Sequence, residues 1–61
     1  MPNAVALKVL VVDDQNSVRQ MTRMTLEEIG IRHIHEAENG KQAMETASLQ
    51  PIDLIISDYN M

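Results

Sequence analysis

Residues 7–14 read Leu-Lys-Val-Leu-Val-Val-Asp-Asp, an apolar run that ends abruptly at two aspartates. Only Lys8 interrupts the run, and three of its residues are β-branched valines. A strand with one exposed face alternates apolar and polar residues, whereas a nearly continuous apolar run is typical of a strand covered on both faces in a parallel sheet. The stretch therefore predicts a central, buried strand over residues 7–12.

Four further segments follow this strand, and their patterns differ. Residues 16–29 carry apolar or small side chains at the i, i+3, i+4 and i+7 spacing of an amphipathic helix, and Gly30 suits the left-handed position that ends many helices. The next strand-like segment is largely polar, which favours a sheet edge. After the first strand, the predicted elements are a helix over 16–29, a strand over 31–37, a helix over 41–49 and an apolar strand over 52–57.

The beginning of the first helix offers two ways to cap its free N–H groups. Ser17 followed by Gln20 matches a capping box, and Asn16 is an alternative N-cap. Arg19 and Arg23 lie one turn apart on a face away from the apolar stripe. Both guanidinium groups are therefore expected in solvent.

The order strand-helix-strand-helix-strand with short connections predicts an α/β fold with a parallel three-stranded sheet. The two apolar strands belong side by side, with the weak second strand on the outer flank of the first, so the predicted order is 2-1-3. Right-handed crossovers then place the two helices on opposite faces of the sheet. This topology covers the first strand on both sides, as its composition requires.

Composition limits the classes of function. Five Lys and Arg against nine Asp and Glu give a net charge of −4, which argues against binding to nucleic acid or to a membrane surface. No apolar run approaches the roughly 18 residues of a membrane span. The chain has no cysteine, which excludes disulfides and favours a cytoplasmic location. Tyr59 is the only aromatic residue, so the core should be aliphatic, with Met21, Met24 and Met44 as filler.

Three aspartates follow the two apolar strands. Asp13 and Asp14 end the first strand and Asp58 ends the third, so the predicted topology brings them to one edge, at the switch point where α/β sheets place ligands. Like charges there repel one another, and all-oxygen ligands suit Mg²⁺, which often binds one or two carboxylates together with a phosphate. Each aspartate could instead be an ordinary turn residue or helix cap. The pattern predicts a metal or phosphate site without excluding this alternative.

Three motifs together resemble the response-regulator receiver domain, the CheY-like family of two-component signalling. They are Lys8-Val9-Leu10-Val11-Val12-Asp13-Asp14, Glu36-Ala37-Glu38-Asn39-Gly40, and Asp53-Leu54-Ile55-Ile56-Ser57-Asp58-Tyr59-Asn60-Met61. The resemblance implies a flavodoxin-like fold and is closest to the stand-alone chemotaxis type. It extends over essentially the whole chain after residue 6.

The resemblance also implies a role for each acidic residue. Asp58 would be the phosphoacceptor, taking a phosphoryl group from a histidine kinase or a small acyl phosphate. Asp14 and Asp58 would bind Mg²⁺ directly, Asp13 would act mainly through a bound water, and the backbone carbonyl of Asn60 would complete the set. The protein would be a cytoplasmic signalling module and not an enzyme.

A complete receiver of this family has five strands and five helices, so residues 1–61 are expected to be an N-terminal half that is truncated after the third strand. The family's Ser/Thr and Lys that contact the phosphoryl group have no counterpart in these residues, so phosphotransfer by this chain alone is expected to be impaired. The third strand is apolar and would lack an outer neighbour. We expect two copies to form a homodimer by pairing their third strands around a twofold axis.

Two other functions are compatible with parts of the pattern. An aspartyl-phosphate hydrolase of the HAD-like type also carries carboxylates at strand ends, but it normally has an Asp-x-Asp pair, and Asp58-Tyr59-Asn60 lacks the second acid. The chain could also be a structural half-domain that assembles without retained chemistry. Titration with Mg²⁺ separates these alternatives.

Overall fold

The computed structural model describes residues 6–57. The five predicted elements are present there, with boundaries that differ from the predicted ones by at most two residues. β1, β2 and β3 begin later than predicted because the residues before them lie outside the paired register of the sheet. In chain order the elements are β1 (Lys8–Val12), α1 (Asn16–Glu28), β2 (His33–Ala37), α2 (Gly40–Leu49) and β3 (Leu54–Ser57).

The sheet has the predicted order, β2-β1-β3, and both strand pairs are parallel. Val12, the last residue of β1, lies beside Ala37 of β2 and Ser57 of β3. The carboxyl ends of the three strands therefore lie level along one edge of the sheet. This confirms the predicted α/β fold class.

β1 is the core of the molecule. Val9 and Leu10 are fully buried, and Val11 and Val12 are nearly so. Successive side chains of a strand point to opposite faces, and the packing of β1 follows that rule. On one face Val9 and Val11 pack with Leu26 of α1, and on the other Leu10 and Val12 pack with Ala43 of α2. The remaining apolar residues of the two clusters are Leu7, Ile31, Ile34, Ala37, Ile52 and Ile56. The helices thus cover opposite faces, as predicted.

The beginning of α1 differs from its prediction. Gln15 is the N-cap residue, and its side chain makes no capping hydrogen bond. The predicted capping box of Ser17 and Gln20 is wrong, and so is the alternative cap by Asn16. Instead of capping the helix, the Oδ1 atom of Asn16 accepts a hydrogen bond of 2.9 Å from Nη2 of Arg19. The side chain of Asn16 therefore contacts another side chain one turn further along α1 and leaves the N–H groups at the start of the helix uncapped.

The end of α1 agrees with its prediction. Gly30 has a φ of 97°, the left-handed conformation that glycine adopts without strain. Its N–H donates to the carbonyl of Glu27, and the N–H of Ile31 donates to the carbonyl of Leu26, both at 3.1 Å. These two bonds form a Schellman motif, which turns the chain back towards β2.

The three methionines predicted to fill the core are exposed, so that prediction is wrong. Met21, Met24 and Met44 have 68%, 61% and 75% of their surface accessible. A helix on a three-stranded sheet buries a single narrow stripe, and in α1 Leu26 is the buried apolar residue. None of the helices between residues 6 and 57 is both long and apolar enough to cross a bilayer.

Candidate functional site

Asp13 continues β1 beyond its last paired residue. Its N–H donates to the carbonyl of Ala37 at 3.1 Å, and its Oδ1 atom accepts a hydrogen bond of 2.9 Å from the N–H of Gln15, two residues further along the chain. Asp13 is buried, with 8% of its surface accessible. Asp14, the next residue, is exposed. The acid pair therefore combines one fixed carboxylate with one that faces solvent.

The structure places this pair where the sequence predicted it, at the carboxyl edge beside the end of β3. Ser57 is the register neighbour of Val12, and Asp58 follows it directly in the sequence. Asp58 and Asn60, the other predicted ligands, lie outside the described residues, so their meeting with Asp13 and Asp14 stays a prediction. Within residues 6–57 no three His, Asp or Glu side chains come together as a metal cluster.

The chemistry of Asp13 and Asp14 fits Mg²⁺. Both offer carboxylate oxygens, the hard ligands that this cation prefers. One oxygen of Asp13 is engaged by Gln15, while its Oδ2 atom accepts no hydrogen bond from the part of the chain that the structure describes. Asp14, being exposed, is open to a hydrated cation. Two residues of the predicted ligand set are therefore compatible with the ion.

Arg19 is the residue of this region that sequence reasoning misjudged. It was expected in solvent, yet only 8% of its surface is accessible. Its Nη1 atom donates to the backbone carbonyl of Asp13 at 2.6 Å, and its Nε atom donates to Oε1 of Glu36 at 3.2 Å. Helical side chains lean towards the N-terminus of their helix, which brings a long side chain in the first turns of α1 back to the strand ends. That lean is the signal that could have located Arg19.

Glu36 connects β2 to α1 through two arginines. Its Oε2 atom accepts a hydrogen bond of 2.9 Å from Nη1 of Arg23, in addition to the bond from Arg19. The hydrogen bond from Arg23 and the weaker one from Arg19 outweigh desolvation and lower the pKa of Glu36 below its ordinary value. The same contact with Glu36 raises the pKa of Arg23. Both groups are therefore held in their charged forms.

This pairing predicts a pH dependence of stability. Because the pKa of Glu36 is lower in the folded chain than its ordinary value of 4.5, the unfolded chain binds the proton first as the pH falls. The stabilisation is present above about pH 4.5 and is lost below it, as the pH passes through the folded-state pKa. Glu36→Gln should flatten this part of the profile, measured by urea unfolding at several pH values.

The matched variant is Arg23→Gln, which removes the main cause of the shift and should also flatten the profile. The double variant should add little to either single change, because both act on one contact. Profiles of equal slope in the wild type and in Glu36→Gln would contradict the prediction.

Comparison with known proteins identifies the family. The model of the response regulator receiver domain matches residues 9–61. This chain belongs to the response regulator receiver domain family. The resemblance drawn from the three motifs is thereby confirmed, and the receiver fold agrees with the observed sheet. The described acid pair lies inside the matched segment. No solved structure gave a significant match.

Curated relatives of this receiver segment include chemotaxis proteins. It is 41% identical over 61 residues to the probable chemotaxis protein CheY of Rhizobium etli, covering all of this chain and 47% of the relative. It is 29% identical over 55 residues to the chemotaxis protein CheY-3 of Vibrio cholerae, covering 90% and 42%. A third relative is protein-glutamate methylesterase/protein-glutamine glutaminase 3 of Hahella chejuensis, 40% identical over 55 residues and covering 90% and 16%. The chain spans less than half the length of each.

Proposed function

We propose that these 61 residues are the N-terminal half of a phospho-accepting receiver in two-component signalling, in which Asp58 takes a phosphoryl group from a histidine kinase in the presence of Mg²⁺. The observation that carries the proposal is the position of Asp13 and Asp14, which end the buried central strand level with the end of β3. The chain acts as a signalling module and not as an enzyme. A cytoplasmic location belongs to the same proposal.

Phosphorylation of Asp58 transfers a phosphoryl group from a nitrogen or oxygen atom of the donor to a carboxylate oxygen of Asp58. A carboxylate oxygen of Asp58 forms a bond to phosphorus, while the bond from phosphorus to the histidine nitrogen or acyl oxygen of the donor breaks and the donor leaves with that electron pair. At the carboxyl edge Asp14 and Asp58 would hold the cation directly, and Asp13 would hold it mainly through a bound water. When bound, Mg²⁺ offsets the negative charge of the carboxylates and of the phosphoryl oxygens.

We further propose that the 61 residues alone transfer the phosphoryl group slowly. The family's Ser/Thr and Lys that contact this group would lie in the half of the domain that the chain does not span, since it covers 47% of the CheY relative from Rhizobium etli. Electrostatic stabilisation of the transferring group is a major part of such catalysis. Its loss slows the reaction without removing the acceptor.

Binding of Mg²⁺ tests the proposal directly. Isothermal titration should detect binding at millimolar Mg²⁺, and Asp14→Asn should weaken it about tenfold or more, because the variant loses a charged oxygen ligand. Glu45→Gln on the exposed side of α2 changes the net charge equally and should leave the affinity nearly unchanged. Wild-type protein that binds no Mg²⁺ at millimolar concentration would favour the purely structural alternative.

A second proposal concerns assembly, since a specific observation favours it. Leu54 and Ile55 of the edge strand β3 have 45% and 52% of their surface accessible. Apolar residues on an edge strand are a template for pairing with another chain. We propose that two copies pair antiparallel through β3 around a twofold axis, which would extend the sheet to six strands.

A further inference from the structure

Arg19 is one of two buried charged side chains among residues 6–57, the other being Asp13. A guanidinium group is rarely buried unless each part of it has a partner, because desolvating a charge is costly. All three nitrogens of Arg19 donate hydrogen bonds. Its partners are the carbonyl of Asp13 at 2.6 Å, Oδ1 of Asn16 at 2.9 Å and Oε1 of Glu36 at 3.2 Å.

These partners belong to three different segments. Asp13 ends the central strand, Asn16 begins α1 and Glu36 lies near the end of β2. The planar guanidinium group holds its donors in a fixed fork. Arg19 thus ties together the strand that carries the acid pair, the helix that follows it and the neighbouring strand.

The bond to Asp13 has a specific geometric consequence. The carbonyl of Asp13 belongs to the planar peptide unit that joins Asp13 to Asp14. Fixing this carbonyl fixes the plane, and the plane sets the direction in which the chain enters Asp14. The hydrogen bond that the N–H of Gln15 donates to Oδ1 holds the side chain of Asp13 against the same loop. The backbone of the β1–α1 loop is therefore held at two points, one of which is a charged donor.

Arg19 holds the β1–α1 loop without forming an ion pair with the carboxylates of Asp13 and Asp14. Its ion pair is with Glu36, and none of its hydrogen bonds in the described part of the chain goes to the carboxylate of Asp13 or Asp14. An arginine paired with those carboxylates would compete with a cation for them. The position of Arg19 orients the acid pair and leaves its negative charge available.

We propose that Arg19 is a positioning residue that fixes the peptide between Asp13 and Asp14 and so sets the direction of the acid pair at the carboxyl edge. The consequence for Mg²⁺ rests on the proposed function. The consequence for the loop does not, because it concerns contacts within the metal-free chain. The two can be measured separately.

The test compares Arg19→Met with Arg23→Met. Each variant removes one positive charge and one partner of Glu36, but Arg23 has no bond to Asp13; it contacts Glu27 and Glu36. Removing the positive charge of a nearby arginine should strengthen Mg²⁺ binding, whereas losing the fixed orientation of the Asp13–Asp14 peptide should weaken it. Arg19→Met should therefore weaken Mg²⁺ binding about tenfold, as a supporting residue behind a ligand does, while Arg23→Met should leave it unchanged or slightly tighter.

Hydrogen exchange of the metal-free protein supplies a readout that does not depend on the cation. The N–H of Gln15 reports the loop and the N–H of Val11 reports the core. Arg19→Met should speed exchange at Gln15 about tenfold or more, with little change at Val11 and no such effect in Arg23→Met. Equal acceleration at both amides, or none at Gln15, would overturn the proposal.

Two further outcomes keep the proposals separable. If wild-type protein binds no Mg²⁺ but exchange at Gln15 depends on Arg19, the proposed function fails and the positioning role stands. If Arg19→Met does not fold, Arg19→Lys replaces it, because lysine keeps the charge but places its donors on one nitrogen and cannot reach three segments. Exchange at Gln15 should again be faster than in the wild type, and unchanged exchange would overturn the role of Arg19.

Discussion

Asp58→Asn should abolish covalent phosphorylation of the chain. With acetyl phosphate as donor and Mg²⁺ present, wild-type protein should gain one phosphoryl group slowly, as shown by intact-protein mass spectrometry over several hours. The amide of asparagine is a much poorer nucleophile than a carboxylate, so the variant should show no labelling. The effect is all-or-none because the acceptor atom itself is removed.

The matched control is Asp53→Asn. Asp53 directly precedes β3. Its Oδ2 atom accepts a hydrogen bond of 2.9 Å from the N–H of Lys8, and asparagine can still accept this bond through its side-chain carbonyl oxygen. This variant should be labelled like the wild type. Labelling that survives in Asp58→Asn, or that disappears equally in a folded Asp53→Asn, would contradict the assignment of the acceptor.

Ile55→Lys should convert a self-associating chain into a monomer. Ile55 is half exposed on β3, and pairing two copies through this strand would bury it. In an antiparallel pair around a twofold axis, both copies of residue 55 lie close to the axis, because β3 has only four residues. Two lysines there would repel each other and would lose apolar contact. Sedimentation velocity at micromolar to millimolar concentration measures the change.

Leu49→Lys provides the control for this variant. Leu49 is at the end of α2 and is 82% exposed, so the substitution makes the same chemical change away from the edge strand. It should leave the association constant unchanged. A wild-type chain that sediments as a folded monomer throughout the concentration range would refute pairing through β3, as would equal effects of the two substitutions.

The sequence predicted the sheet well because its evidence was local. The nearly continuous apolar run of β1 indicated burial on both faces, and the structure shows Val9 and Leu10 fully buried. Gly30 indicated the end of α1, because few residues other than glycine adopt its left-handed backbone conformation without strain. The strand order followed from hydrophobicity and handedness, which are general rules that need no side-chain detail.

The errors in burial concern side chains whose surroundings are decided by tertiary packing. Arg19 was assigned to solvent from its place on the helix, but one of the partners that make its burial possible is Glu36, which lies 17 positions away on β2. Met21 was assigned to the core from the apolar spacing along α1, yet it is 68% exposed. The spacing of apolar residues shows which of them share a helix face, but not how much of that face the sheet covers. Predicting the burial of such side chains requires the three-dimensional arrangement of the elements.

The candidate site was predicted in part. Strand ends and topology located Asp13 and Asp14 correctly at the carboxyl edge. The bonds that hold Asp13, to Gln15 and from Arg19, could not be read from the sequence, because they depend on the path of the loop. The places of Asp58 and Asn60 remain predictions, since both lie outside the described residues.

The reciprocal bonds between Lys8 and Asp53 have a consequence for synthesis on the ribosome. The N–H of Lys8 donates to the side chain of Asp53 at 2.9 Å, and the N–H of Asp53 donates to the carbonyl of Lys8 at 2.8 Å, across 45 residues. β1 leaves the exit tunnel first, but one of its two sheet neighbours emerges only with β3. Until then β1 keeps one edge of unpaired backbone groups together with exposed apolar side chains. During this interval chaperones that recognise extended apolar segments can bind it.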